Sequence, residues 1–197
     1  MALLKAYLDT NILIEYCWIA FFSETQSRKS PVYNLVDKGA KGEYEIYISF
    51  YTLIELWQHF SDYYLWLKAL RDGYSYREFP KVREEYVLTK DEIRSVSELI
   101  EKFRNNEYLN YVEPHAFKEM GDEYFKIIMG YVRGHMNFYD ALHVRTAIDI
   151  ECDYFVTKDG ELRKRFQTLI NNKIINEPLK IANVNGFLHV LKQKPHS

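Results

Sequence analysis

The sequence predicts an α/β protein whose central, mainly parallel sheet is flanked by helices. Three observations predict it. Short apolar runs at residues 2–8 and 153–157 read as buried strands, each ending at or just before an acid. An alternating stretch at 44–49, YEIYIS, leads directly into a helix-period pattern. Dipeptides that make tight hairpins are scarce between these segments, so the strands are joined by crossovers and run parallel.

The elements follow in order. ALLKAYL at 2–8 forms the first strand and stops at Asp9. A helix over 12–22 is apolar on nearly every side except Glu15, which calls for two packing partners: the sheet and either a second copy of the chain or a partner peptide. After YEIYIS, a long helix runs from Thr52 to about Leu70, opened by a Thr52-x-x-Glu55 capping box that puts Glu55 in its first turn. From about 65 to 133 the chain makes a helical excursion, read as part of one domain spanning 1–197 because its apolar stripes need a partner surface. Within it, 89–105 carries a Thr89-x-x-Glu92 capping box and Ile93, Val96, Leu99, Ile100 and Phe103 at helical spacing, and YLNYV at 108–112 is a weak strand. A last strand at 180–184 and a closing helix at 185–192 complete the chain.

Composition narrows the function classes. With 47% hydrophobic and 27% charged residues and only 8 Gly and 5 Pro in 197 positions, disordered and collagen-like chains are excluded. The net charge of −2 supplies no global basic field, but residues 158–197 hold eight Lys/Arg against three Asp/Glu. Phosphate contact would therefore be local. Cys17 and Cys152 sit in apolar surroundings and read as reduced core thiols. No signal peptide or membrane span is legible, so a cytoplasmic protein without membrane contact is expected.

Four acids carry the chemistry: Asp9, Glu55, Asp140 and Asp159. Singly, each reads as a helix cap or first-turn acid. Jointly they mean more, because the carboxyl ends of the strands of an open parallel sheet line one crevice, and acids there converge. Converging carboxylates repel unless a cation intervenes, and oxygen donors without Cys or His at ligand spacing point to Mg²⁺ or Mn²⁺. The chemistry implied is phosphoryl transfer to water.

The strings YLDTNILIE, ISFYTLIEL, FYDALHVRTA and DYFVTKDGEL, in that order, resemble the PIN-domain ribonucleases, most closely the VapC-like toxins of toxin–antitoxin pairs. The resemblance implies a PIN-like fold with a helical insertion between the second and third acidic motifs. It also implies an endoribonuclease dependent on Mg²⁺ or Mn²⁺, with Asp9, Asp140 and Asp159 holding the metal and Glu55 a further ligand or the acceptor of the attacking water's proton. Asn11 would steady Asp9, and Thr157 would bind a metal water or orient Asp159. The partners implied are an RNA substrate and a cognate antitoxin, with a homodimer as a further expectation. For substrate phosphates the residues offer Lys158, Arg163, Lys164 and Arg165, with Arg145 a weaker choice, although such a run also reads as a solvated helix face. Glu161 and His143 are read as a first-turn acid favoured by the helix dipole and a packed helix histidine.

Glu55 and Asp140 stand further apart than in the compact toxins, so a solitary PIN nuclease of RNA processing and a non-catalytic RNA- or protein-binding domain on a nuclease scaffold remain alternatives. Receiver-type and haloacid-dehalogenase-type phosphoryl-transfer domains fit less well, because Asp9-Thr10-Asn11 offers one carboxylate where the latter expects two.

Overall fold

The computed structural model describes residues 2–22, 30–113, 121–176 and 178–193. They divide into two units, residues 1–52 with 107–197 and residues 53–106.

The first unit is built on five strands: β1 (Lys5–Leu8), β2 (Glu45–Ser49), β3 (Leu109–Val112), β4 (Tyr154–Val156) and β5 (Lys180–Ala182). They form one sheet in the order β3-β2-β1-β4-β5, and every neighbouring pair is parallel. The expected α/β class and parallel sheet are therefore present. The chain fills the β2 and β3 side first and then crosses to β4 and β5, so the strand order reverses between β1 and β4. In open α/β sheets that reversal opens a crevice at the carboxyl ends of the strands.

Alternation explains why both faces are covered. Tyr7 lies opposite Tyr47 and Phe155, while Ala6 lies opposite Ile46 and Tyr154. One set faces a core that also takes Ile128 and Tyr131 of α6 (Asp122–Arg133), Ala141, Leu142, Val144 and Ala147 of α7 (Phe138–Asp149), and Leu162, Phe166 and Leu169 of α8 (Gly160–Asn171). Tyr7 stacks on Phe155 there, with ring centroids 5.4 Å apart. The other set faces the side of α1 (Thr10–Phe22), α2 (Pro31–Ala40) and α9 (Val184–Gln193), where Phe187 meets the rings of Tyr44 and Tyr154.

Part of the cover expected over α1 comes from this chain. The Tyr16 ring stacks on Tyr33 of α2, and its hydroxyl meets that of Tyr108 at 3.3 Å. Burial, with that contact, raises the Tyr16 phenol above its ordinary range. Cys17 and Cys152 are free and buried, and burial pushes both thiols up to about 12, the behaviour of inert core thiols.

Several helices end alike. α2, the long helix α3 (Phe50–Arg71), α6, α7 and α8 all stop in a left-handed residue whose following N–H reaches back five positions, as Cys152 does to the Ala147 carbonyl. Gly42 and Gly73 fill that position after α2 and α3, but His135, Glu151 and Lys173 fill it after α6, α7 and α8.

The second unit is helical. It takes α3 from Leu53 onward, α4 (Phe79–Val82), a single 3₁₀ turn (Arg83–Glu85) and α5 (Lys90–Arg104). Its core holds Leu65, Ala69 and Phe79, with Trp66, Tyr74, Val82, Tyr86 and Leu88 partly buried against them. The Thr89–Glu92 capping box is formed. Of the apolar stripe expected on α5, Val96 and Phe103 are buried while Ile93 is exposed. The helical excursion is also shorter than the 65–133 expected. Its last stretch supplies β3 and α6 to the sheet-bearing unit, because YLNYV pairs with β2 along its length. No helix among the described residues is long and apolar enough to cross a membrane.

Candidate functional site

The reversal between β1 and β4 sets the first acid. Asp9 follows β1, and its backbone is held on both sides: its N–H donates to the Val156 carbonyl of β4 at 3.0 Å, and its carbonyl accepts from Ile12 in the first turn of α1 at 3.0 Å. Asp9 is buried, with 7% of its surface exposed. Its Oδ2 accepts the Asn11 amide at 2.6 Å and the Thr157 hydroxyl at 2.5 Å. The Asn11 amide thus holds the Asp9 carboxylate in one orientation.

Thr157 is completely buried and ties the two strand ends together. Its hydroxyl donates to Asp9 and accepts from the Asn11 amide at 3.0 Å and from the backbone N–H of Asp159 at 2.9 Å. A hydroxyl has one hydrogen and two lone pairs, and all are taken. The bond to the Asp159 N–H fixes the backbone that carries this acid. The Asn11 carbonyl Oδ1 completes the loop by accepting the Lys158 N–H at 3.1 Å.

Asp159 is exposed and is the N-cap of α8, where its Oδ1 accepts from Glu161 N–H at 2.7 Å and Leu162 N–H at 3.1 Å. Both bonds fall on one oxygen, so the cap does not use the other. Asp140 stands in the first turn of α7, half-buried, behind the N-cap Asn137. A helix that returns to a parallel strand begins at the carboxyl edge of the sheet, so Asp140 starts from the same edge as Asp9 and Asp159.

Glu55 differs from its expected placement. α3 begins at Phe50, so Glu55 falls in the second turn, and no acid stands in the first. The reason is local: the Thr52 hydroxyl accepts the Ser49 N–H at 3.3 Å, so Thr52 serves the start of the helix from its third position. Glu55 belongs to the second unit, the three aspartates to the first.

Most of the expected phosphate contacts have other partners. Lys158 pairs with Glu15, Lys164 with Glu161 at 2.7 Å and Arg145 with Asp149, while the Arg163 Nε donates to the Asp159 carbonyl at 3.4 Å. Arg145 is a helix-internal pair on α7, a structural role. Arg165 and Lys164 are exposed on α8, and Glu161 is the first-turn acid that the sequence implied.

A polar cluster inside the first unit escapes sequence reasoning. The Tyr7 hydroxyl lies 2.5 Å from Ser49 Oγ, 3.3 Å from Thr52 Oγ1 and 2.7 Å from His143 Nδ1, all four residues being buried. His143 is thus the packed, hydrogen-bonded histidine expected. The one signal for the rest is a tyrosine next to the last residue of a buried strand, whose hydroxyl needs a partner.

Carboxylate oxygens at this edge are hard donors, so the donor chemistry fits Mg²⁺ or Mn²⁺. Asp9 and Asp159, joined through Thr157, are the pair with which such a centre would begin. Among the described residues no three Asp, Glu, His or Cys side chains are grouped so as to hold an ion. Compared with protein-family models, with curated proteins and with solved structures, the chain matches none of them.

Proposed function

We propose that the protein is a PIN-like endoribonuclease that hydrolyses RNA phosphodiesters with Mg²⁺ or Mn²⁺. The observation that carries this reading is the coupling of Asp9 to Asp159 through Thr157 at the strand reversal, with Asp140 entering from the same edge. An N-cap alone needs no buried carboxylate on the neighbouring strand, and Asp9 caps with its backbone while its side chain is held by two donors.

Asp9, Asp140 and Asp159 would hold the ion. When bound, it polarises the phosphodiester and makes a water nucleophilic near neutral pH. Asn11 and Thr157 fix the direction of the Asp9 carboxylate, so its reorganisation on binding is small. The reading rests on these three aspartates and assigns no step to Glu55.

Purified protein incubated with RNA and Mg²⁺ or Mn²⁺, with and without chelator, tests the proposal beside Asp9→Asn and Asp140→Asn. Both variants should lose about 100-fold or more in rate, the scale of removing a group that stabilises developing charge. Cleavage by Asp9→Asn at the wild-type rate ends the reading. The toxin role and the antitoxin partner rest on the sequence resemblance alone. Growth arrest on expression, absent with Asp140→Asn and relieved by the product of an adjacent gene, is the outcome they require.

A further inference from the structure

The Tyr7 hydroxyl joins four separate pieces of the sheet-bearing unit at one point. Tyr7 is on β1, two residues before Asp9. Ser49 is the last residue of β2, Thr52 is in the first turn of α3, and His143 is on α7, three residues after Asp140. Residues three apart on a helix share a face, so the bond at 2.7 Å to His143 fixes the rotation and height of the turn that carries Asp140. The same oxygen is fixed from below by the strand that ends in Asp9. A tyrosine hydroxyl has one hydrogen to donate and two lone pairs, enough for all three partners.

Packing alone does not require this arrangement. Phenylalanine would keep the stack on Phe155, and aliphatic residues at 49, 52 and 143 would fill similar volume without three polar groups to satisfy. What the hydroxyl adds is direction. Hydrophobic contact lets a helix slide or turn by a fraction of an ångström, whereas a buried hydrogen-bond node permits one register.

We infer that Tyr7 is a positioning residue: through His143 it sets the first turn of α7, and with it Asp140, against Asp9 at the strand reversal. The inference rests on the nuclease reading. It assigns to Tyr7 and His143 a role in rate, with neither touching substrate.

The test uses the full chain with Tyr7→Phe, His143→Leu, His143→Asn and the double variant Tyr7→Phe/His143→Leu. Each is measured for thermal unfolding, amide hydrogen exchange and RNA cleavage. Tyr7→Phe should fold, show faster exchange in the first turn of α7 while the β1 and β4 amides keep their protection, and lose about tenfold in kcat with KM nearly unchanged. The double variant should be no slower than either single one, because both remove one link. Asparagine presents an amide where the imidazole Nδ1 sits, so His143→Asn should recover most of the kcat lost in His143→Leu. Unchanged kcat in Tyr7→Phe beside an active wild type overturns the inference and leaves the nuclease reading intact. So do additive losses in the double variant. A wild-type protein that cleaves no RNA with either metal overturns the nuclease reading, and this assignment with it.

Discussion

The sheet-bearing unit and the helical unit of residues 53–106 keep their polar groups in order by different means. In the first, the decisive bonds are buried or half-buried and join residues far apart in the chain: Tyr7 to His143, Thr157 to Asp9, Asn11 to Thr157. In the second they are near the surface and mostly short in range. Thr89 and Glu92 cap α5, Ser75 and Glu78 close a turn, and Lys68 reaches Glu92 at 2.6 Å and the Val87 carbonyl at 2.6 Å. The helical unit also leaves Ser61 Oγ and Trp66 Nε1 buried without a hydrogen bond, and Tyr76 and Val87 largely exposed. Each such buried orphan costs about 1–3 kcal/mol. The polar bonds named for the sheet-bearing unit span 136 to 148 positions, against 24 for Lys68–Glu92 of the helical unit.

The sharpest way to break that contrast is to remove one large core ring from each unit. Phe155→Ala takes away a fully buried ring stacked on Tyr7 and should cost about 4–5 kcal/mol, the upper range for such truncations. Phe79→Ala, where the surrounding rings are only partly buried, should cost about 3 kcal/mol. Urea unfolding followed by circular dichroism measures both. Equal costs would mean that the two cores are packed alike.

The capping box offers a smaller effect with a pH signature. Thr89→Ala should destabilise by about 1 kcal/mol. Partial burial works against ionisation of Glu92, but the hydrogen bonds from Lys68 and Thr89 prevail and hold its carboxyl below the ordinary 4.5. A carboxyl held low in the folded state stabilises fully above its unfolded value, and that contribution is lost as pH falls through the folded one. Glu92→Gln should therefore be less stable than wild type at neutral pH and approach it as the pH drops below 4.5. A gap that persists in acid would assign the effect to packing.

The smallest effect, and a favourable one, lies at the helix ends of the first unit. Glu151 and Lys173 hold the left-handed position that glycine fills after α2 and α3. Glu151→Gly and Lys173→Gly should each raise the urea midpoint, by about 0.5–1 kcal/mol of stability, because glycine adopts that conformation without steric penalty. A fall in the midpoint would show that the side chains contribute more than the backbone strain costs.

The same contrast explains what the sequence made legible. β1 and β4 are readable because buried parallel strands are short apolar runs, β2 because YEIYIS alternates, and α5 because Thr89-x-x-Glu92 is complete within four residues. Asp9, Asn11 and Thr157 were readable as a group only through family resemblance, since the bonds joining them link residues 146 and 148 positions apart. The start of α3 is ambiguous in the sequence because Ser49-x-x-Thr52 and Thr52-x-x-Glu55 both look like caps, and the strand decides between them by ending at Ser49. The Tyr7 cluster left no local trace, because its partners lie 42, 45 and 136 positions away.

Asp159 uses a single oxygen to start α8, and an asparagine or a serine starts a helix equally well. The cap thus draws on an oxygen, and the negative charge at this position adds only its interaction with the helix dipole, about 0.3–1 kcal/mol. On the nuclease reading, exchanging Asp159 for asparagine would keep the cap and would show its effect in RNA cleavage.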